Sequence, residues 1–211
     1  MPLLTGFVAA DTYARYRSGL RRRMLAYKGQ RTLMLGPHMR LLFEDRLTVS
    51  YQTLETMHAE RFDPAFDEDE NLTRFAHLIP DSRSLCATLM IELTDAGQHR
   101  RLLGALNEAV HEVCLEVDGL PPVRASVNAD LPDQHRARPS AVHFLRFDLP
   151  LPARAALLDE AGACLSCRHR GFDWEHAMAP ALLARLRADL GPGAWVDGLA
   201  TGMGMPFIRA N

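Results

Sequence analysis

Three ionisable side chains interrupt stretches of sequence that otherwise read as buried β-strand. Glu92 closes an apolar run that starts at Leu85, and His143 and Arg146 interrupt the apolar run over residues 141–147. A charge in a sheet core is costly unless it is paired, hydrogen-bonded or neutralised, so such residues usually have partners. All three are therefore candidate catalytic residues, with Glu92 and His143 as acid and base. The alternative places Glu92 in solvent at a strand end, and His143 and Arg146 on opposite, partly exposed faces.

A metal site is the second kind of chemistry that these residue types allow. Glu55, Glu92 and His143 offer carboxylate and imidazole ligands, which suit Fe, Mn or Zn. Glu55 also belongs to one of two E-x-x-H pairs, Glu55–His58 and Glu108–His111, and di-iron bundles use two such pairs that face inward. The second pair lies opposite the apolar face of its predicted helix, so the di-iron interpretation fails there. His58 is then expected to be a core histidine bonded to Glu55.

A C-x-x-C sequence, Cys164 to Cys167, is followed by His169 and has the spacing of half a zinc site or a redox pair. However, residues three apart in a strand point to opposite faces of the sheet. No second cysteine pair of similar spacing occurs in the chain, which has four cysteines. Buried, unreactive thiols are the favoured interpretation.

The elements that must position these residues follow from the spacing of apolar side chains. A stripe from Tyr13 to Tyr27 predicts an N-terminal helix, a hairpin follows over residues 32–44, and a second helix begins near Arg46. From residue 85 the order is strand, helix, two strands, loop, strand, helix, strand, with a last helix over 180–190. This order predicts an α+β fold with a mainly antiparallel sheet and helices packed on one face. We expect a ferredoxin-like βαββ-βαβ core with the N-terminal helix, hairpin and helix added.

Residues 1–190 are predicted to form a single domain, and residues 191–211, with five glycines and two prolines, a tail that is mobile or docked on a partner. The chain has 211 residues, with 24 basic and 26 acidic side chains. This balance gives no global field for nucleic acid or anionic lipid. No apolar stretch is long enough to cross a bilayer, and a secretory signal is missing, so we expect a cytoplasmic protein that binds neither nucleic acid nor membrane. The common nucleotide-binding and hydrolase motifs are also missing.

Several segments together resemble a bacterial family catalogued as domain of unknown function 3501. They are Arg31–Pro37, Leu42–Arg46, Tyr51–Gln52, Glu55–Arg61, Leu78–Pro80, Ala87–Glu92 and Ser140–Phe147. The resemblance places motif positions on the three strand residues and on four residues of the second helix and its end: Gln52, Glu55, Glu60 and Arg61. We expect Gln52, Glu60 and Arg61 to contact a cofactor. The resemblance also implies a role beside peroxide or iron metabolism. The partner that it implies is an iron–sulfur oxidoreductase or a rubrerythrin-like protein.

The leading hypothesis is an accessory protein of a redox, iron or peroxide system, with a metal site formed by Glu55, Glu92 and His143. A rival is a protein-interaction module without catalytic activity, which binds a partner through Arg21–Arg23, the acidic run Asp67–Glu70 and the tail. A third is a metal-free enzyme, which would require a cleft between Glu92 and His143. Whether the protein is an enzyme stays open at this point.

Overall fold

The computed structural model describes residues 10–60, 78–93, 99–129 and 139–191. In these ranges the helices are α1 (Ala10–Gly29), α2 (Arg46–Glu60), α3 (His99–Ala109), α4 (Leu151–Leu158) and α5 (Pro180–Leu190), with a short 3₁₀ turn at Val110–Glu112. The strands are β1 (Thr32–Leu35), β2 (Met39–Phe43), β3 (Ser84–Ile91), β4 (Val113–Val117), β5 (Val123–Arg124), β6 (Ser126–Val127), β7 (Val142–Asp148), β8 (Ala163–His169) and β9 (Phe172–Ala177).

The strands form two antiparallel sheets, so the α+β class is confirmed but the single predicted sheet is not. One sheet has the strand order β1-β2-β3-β7-β6, and the other has the order β5-β4-β8-β9. The chain crosses between the sheets through α3, which joins β3 to β4, and through α4, which joins β7 to β8. A ferredoxin-like core would keep these strands in one sheet, and that topology is not observed.

The predicted strand over residues 123–127 is divided between the two sheets. Val123 and Arg124 pair with β4, whereas Ser126 and Val127 pair with β7. Strand β9 was not predicted at all, because most of its side chains are exposed and its sequence, FDWEHA, lacks an apolar run. It packs as an edge strand against β8.

Alternation along the strands separates two faces of the five-stranded sheet. The inner side chains of β3 (Leu85, Ala87, Leu89 and Ile91) and of β7 (His143, Leu145 and Phe147) are all buried. Because neighbouring strand residues point to opposite faces, Thr88, Arg146 and the β2 residue Arg40 lie on the outer face. His143 and Arg146 are therefore on opposite faces of the sheet, as in the alternative interpretation of the sequence, but only Arg146 is partly exposed, because His143 is 4% exposed.

Two apolar clusters hold these layers together. The larger cluster takes buried side chains from both sheets and from α3, α4 and α5. The smaller cluster joins α1 to α2 through Tyr13, Leu20, Met24, Leu47 and Tyr51. Within the described parts of the chain, no helix combines the length and apolarity that crossing a membrane requires.

Candidate functional site

Glu55 lies on α2 and is fully engaged by α1. Its carboxylate accepts hydrogen bonds from the Tyr13 hydroxyl at 2.5 Å and from Arg17 Nε and Nη2 at 2.9 and 2.7 Å. These bonds, chiefly those from Arg17, lower the pKa of Glu55 to about 2 against the opposing effect of burial. Glu55 is thus an ionised tie between the two helices. His58 is exposed and edge-on to the Tyr13 ring, so the expected core histidine bonded to Glu55 is not observed.

Glu92 and Arg146 form separate ion pairs on the outer side of the five-stranded sheet. Glu92 accepts two hydrogen bonds from Arg40, with Nε–Oε1 at 2.7 Å and Nη2–Oε2 at 2.9 Å, and both side chains are more than two-fifths exposed. Arg146 pairs with Asp148 at 2.7 Å and with Asp81 at 3.0 Å. Glu92 is therefore paired with an arginine of the neighbouring strand β2, and Arg146 with one acid on its own strand and one that precedes β3.

His143 is buried on the inner face and is held by two hydrogen bonds. Asn128 Nδ2 lies 3.1 Å from His143 Nδ1, and His143 Nε2 lies 3.0 Å from the carbonyl oxygen of Ser140. Asn128 Oδ1 already accepts from the Phe144 backbone N–H at 2.8 Å, so its amide group is the donor toward the imidazole. This arrangement assigns a neutral ring with the proton on Nε2. Burial lowers the pKa of His143 and favours the same neutral form.

The structure does not bring Glu55, Glu92 and His143 together. Among the described residues they do not form a group whose ligand atoms share one location, and each has its own partners on a different surface. The physical reason is the strand alternation, which points His143 inward while Glu92 bonds to an outward-facing arginine. Of the expected cofactor contacts, Gln52 is exposed on α2, whereas the Glu60 side chain and Arg61 lie outside the described residues.

A buried polar cluster lies elsewhere, around Arg31. This residue joins α1 to β1 and is only 1% exposed. Its Nε donates to the Phe43 carbonyl at 2.9 Å, its Nη1 lies 3.3 Å from Asp45 Oδ2, and its Nη2 donates to Asp189 on α5. The Tyr27 hydroxyl also donates to Asp45. We call Tyr27, Arg31, Asp45 and Asp189 the Arg31 cluster.

A buried carboxylate, Glu44, adjoins the Arg31 cluster at the end of β2. It accepts a 2.6 Å hydrogen bond from the Thr88 hydroxyl, and burial raises its pKa. The sequence contained a signal for this region, because charged residues directly flank both strands of the apolar hairpin. In the sequence these charged residues belong to two of the segments that carry the family resemblance, Arg31–Pro37 and Leu42–Arg46.

One group of metal-ligand types does converge among the described residues, on the four-stranded sheet. Glu116, Cys164 and Glu175 each offer a ligand atom, and these atoms lie within 4.8 Å of one another. However, Arg168 donates to both carboxylates at 2.8 Å, which supplies the positive charge that an ion would bring. Burial and the two carboxylates also raise the pKa of Cys164, which disfavours the thiolate that binds metals. The group is therefore an ion-pair network with a protonated thiol.

The two cysteines of the C-x-x-C sequence point to opposite faces, as strand geometry predicted. Cys167 is fully buried and donates to the Ala109 carbonyl, whereas Cys164 is half-buried on the outer face. Both are free thiols. Burial raises the pKa of Cys167 to about 11, so this thiol is protonated at neutral pH.

Comparisons with known proteins agree with this fold. The crystal structure of a novel protein of unknown function from Burkholderia pseudomallei K96243 is similar to the chain, with 35% identity and a TM-score of 0.82. The match covers 88% of this chain and 96% of the other. No curated protein matches the chain. The family described as "Protein of unknown function (DUF3501)" matches residues 5–190. Because this match spans most of the sequence, the chain belongs to the DUF3501 family.

Proposed function

We propose that the protein is a non-catalytic accessory protein that binds an acidic surface of a partner protein through the exposed face of α1. The observation that carries this proposal is one helix stripe, Ala14, Ser18, Arg21 and Leu25, which recurs at steps of four, three and four residues. With Arg22 beside it, we call this set the α1 outer stripe. All five side chains are exposed, and Leu25 is 63% exposed.

The composition of the α1 outer stripe suits protein recognition. Leu25 is a large apolar side chain one helical turn after Arg21 and Arg22, and the small side chains of Ser18 and Ala14 continue the stripe toward the N-terminus of the helix. Arginine is enriched at interfaces, and buried apolar anchors carry much of the binding energy. The other face of α1 is anchored on α2 through Tyr13, Leu20 and Met24, so the stripe is presented on a fixed helix.

The positive charge of α1 favours an acidic surface on the partner protein. Helix α1 carries six bases and one acid, and Glu55 neutralises Arg17, which leaves most of the positive charge toward solvent. An acidic protein surface is complementary to this helix and would be attracted to it over about 8 Å at physiological salt. A membrane-binding helix would need a broad apolar face. The chain as a whole, with net charge −2, has no excess of positive charge that would draw it to nucleic acid, and RNA is included in the test below because α1 itself is basic.

The motif residues make hydrogen bonds and ion pairs within the chain, and these contacts support a non-catalytic role. Glu55, Glu92, His143 and Arg146 each have internal partners, and these partners account for their polarity in structural terms. The family resemblance implies an iron–sulfur oxidoreductase or a rubrerythrin-like protein as the partner. Those two proteins are therefore the first to test. The acidic run Asp67–Glu70 and the tail after Gly191, which the sequence also suggested as binding segments, lie outside the described residues.

Binding by the full-length chain is measured by calorimetry against each purified candidate partner, with the double variant Arg21→Glu/Arg22→Glu. The matched control is Arg83→Glu/Arg170→Glu, which changes the net charge equally at two exposed arginines away from α1. We expect the α1 variant to weaken binding about tenfold or more and to flatten its salt dependence, and the control to have a small effect. Equal weakening by both variants would refute the proposal, as would tight binding to RNA or anionic vesicles in place of protein.

A further inference from the structure

The last turn of α5 is attached to the rest of the fold by the buried side chains of Leu186 and Leu190 and by polar contacts. Asp189, one residue before the end of the helix, accepts a hydrogen bond from Arg31. One turn earlier, Arg185 donates to Gln30 and lies with its guanidinium 5.8 Å from the centre of the Tyr27 ring. Arg187 also donates to the Leu157 and Ala161 carbonyls, and Arg154 donates to the Leu190 carbonyl. Among the described contacts of this turn, Asp189 supplies the carboxylate that joins it to the α1–β1 junction.

The two aspartates that share Arg31 have unequal surroundings. Asp45 lies at the N-terminus of α2, where its Oδ1 accepts the Thr48 backbone N–H at 2.7 Å, and its Oδ2 faces Tyr27 and Arg31. A helix N-terminus stabilises a negative charge, and a helix C-terminus disfavours one. Asp189 lies at the C-terminal turn of α5. A proton that enters this cluster is therefore expected on Asp189.

Burial acts in the same direction. The Asp189 side chain is only 15% exposed, and this desolvation raises its pKa to about 6 against the attraction of Arg31. Asp45 adds repulsion, while Arg185 opposes it. In the described part of the chain, Tyr27 is the further titratable member of the cluster, and Glu44 and Lys28 lie beside it. Asp45 and Asp189 share the Arg31 guanidinium, so its attraction to each carboxylate is divided.

We propose that protonation of Asp189 controls a local opening of α5. The last turn of the helix is held most tightly on the α1–β1 junction when Asp189 carries a proton, and it opens more often when Asp189 is ionised. In an opened turn Asp189 contacts water, and its carboxyl loses its proton near pH 4. The open form then holds fewer protons than the closed form between pH 4 and 6, so rising pH favours opening. The opening equilibrium rises about tenfold per pH unit across this range, or roughly 100-fold in total, and is flat above it.

The test measures hydrogen exchange of the last-turn amides of α5 by NMR from pH 4.5 to 8, with intrinsic exchange rates divided out. Asp189→Asn mimics the protonated carboxyl and should remove the pH dependence, with protection at pH 7.5 up to roughly 100-fold above that of the unmodified protein. Asp159→Asn is the control, because Asp159 caps the C-terminus of α4 in an exposed position.

A second measurement does not depend on exchange. The side-chain carboxyl ¹³C resonance of Asp189 should titrate with a midpoint well above 4. A midpoint near 4 for Asp189 overturns the proposal. Opening that is independent of pH in the unmodified protein, or an equal pH dependence in Asp189→Asn, overturns it as well.

Discussion

Replacement of Arg31 by methionine should destabilise the protein severely. The variant removes a side chain that is 2% exposed and leaves Asp45 and Asp189 in the interior without their shared guanidinium. Breaking a buried ion pair by removal of one partner costs about 3–5 kcal/mol, mainly because the remaining charge is uncompensated. Asp189 can relieve part of this cost by taking up a proton, so we expect a loss of about 3 kcal/mol at pH 7 that becomes smaller at pH 5.

The matched control is Arg40→Met, which removes an arginine that also makes two hydrogen bonds to one carboxylate. Arg40 and Glu92 are 45% and 43% exposed, and an exposed pair of this kind contributes about 0–1 kcal/mol. Both variants are unfolded in urea and followed by far-UV circular dichroism, with the m-value checked for constancy. Comparable losses in the two variants, or a loss below about 1 kcal/mol for Arg31→Met, would refute the reasoning that burial sets the strength of these contacts.

Three further predictions concern the hairpin, the buried histidine and metal content. Gly36→Ala should lower the free energy of unfolding in urea more than Gly119→Ala does. Both glycines have positive φ, at 63° and 73°. However, a Cβ at Gly36 would lie 2.2 Å from the Trp174 ring, whereas nothing lies within 4 Å of one at Gly119. The φ strain alone is about 1–2 kcal/mol, so equal losses would exclude the clash. Burial lowers the pKa of His143 below its ordinary value of about 6.5. The neutral ring therefore contributes its full stabilisation when the pH is above about 6.5, and this stabilisation is lost as the pH falls below that value. His143→Gln should therefore flatten the loss of stability between pH 6.5 and 5, and an unchanged slope would contradict the neutral ring. Finally, protein purified without an affinity tag should hold the same amount of Fe, Mn and Zn before and after His143→Ala, and a loss of bound metal in the variant would restore the metal hypothesis.

Local periodicity was sufficient to predict most elements. The stripe of apolar residues that predicted the first helix matches α1, and the predicted last helix matches α5 residue for residue. The hairpin around Gly36 was predicted from two apolar runs and a Gly-Pro turn, and it is observed as β1 and β2. These features depend on neighbours within a few positions, which a single sequence displays directly.

The division into two sheets could not be predicted in the same way. Alternation in a strand indicates which side chains face the core, but it does not identify the strand that pairs with it. The short segment around Ala125 reads as one strand, yet it leaves one sheet and enters the other. Pairing of this kind depends on residues far apart in sequence.

The candidate site shows the same limit. Sequence alone indicated correctly that polar residues in apolar strands have partners, but not which partners. His143 is paired with Asn128, whose backbone has a φ of 50°, and Arg31 is paired with Asp189, which lies 158 positions away. Long-range ion pairs leave no periodic signal in the sequence, so the Arg31 cluster was visible only as charges next to strand ends.

The central claim is that the polar motif residues hold the fold together while the α1 outer stripe binds the partner. Glu92 and Leu25 are both exposed, so we expect each substitution to leave the fold intact. Calorimetric titration of the partner into Glu92→Gln and into Leu25→Ser therefore separates the two roles. We predict that Glu92→Gln binds within about twofold of the unmodified protein and that Leu25→Ser binds about tenfold more weakly or worse. Full binding by Leu25→Ser together with a loss of binding by Glu92→Gln would contradict the account.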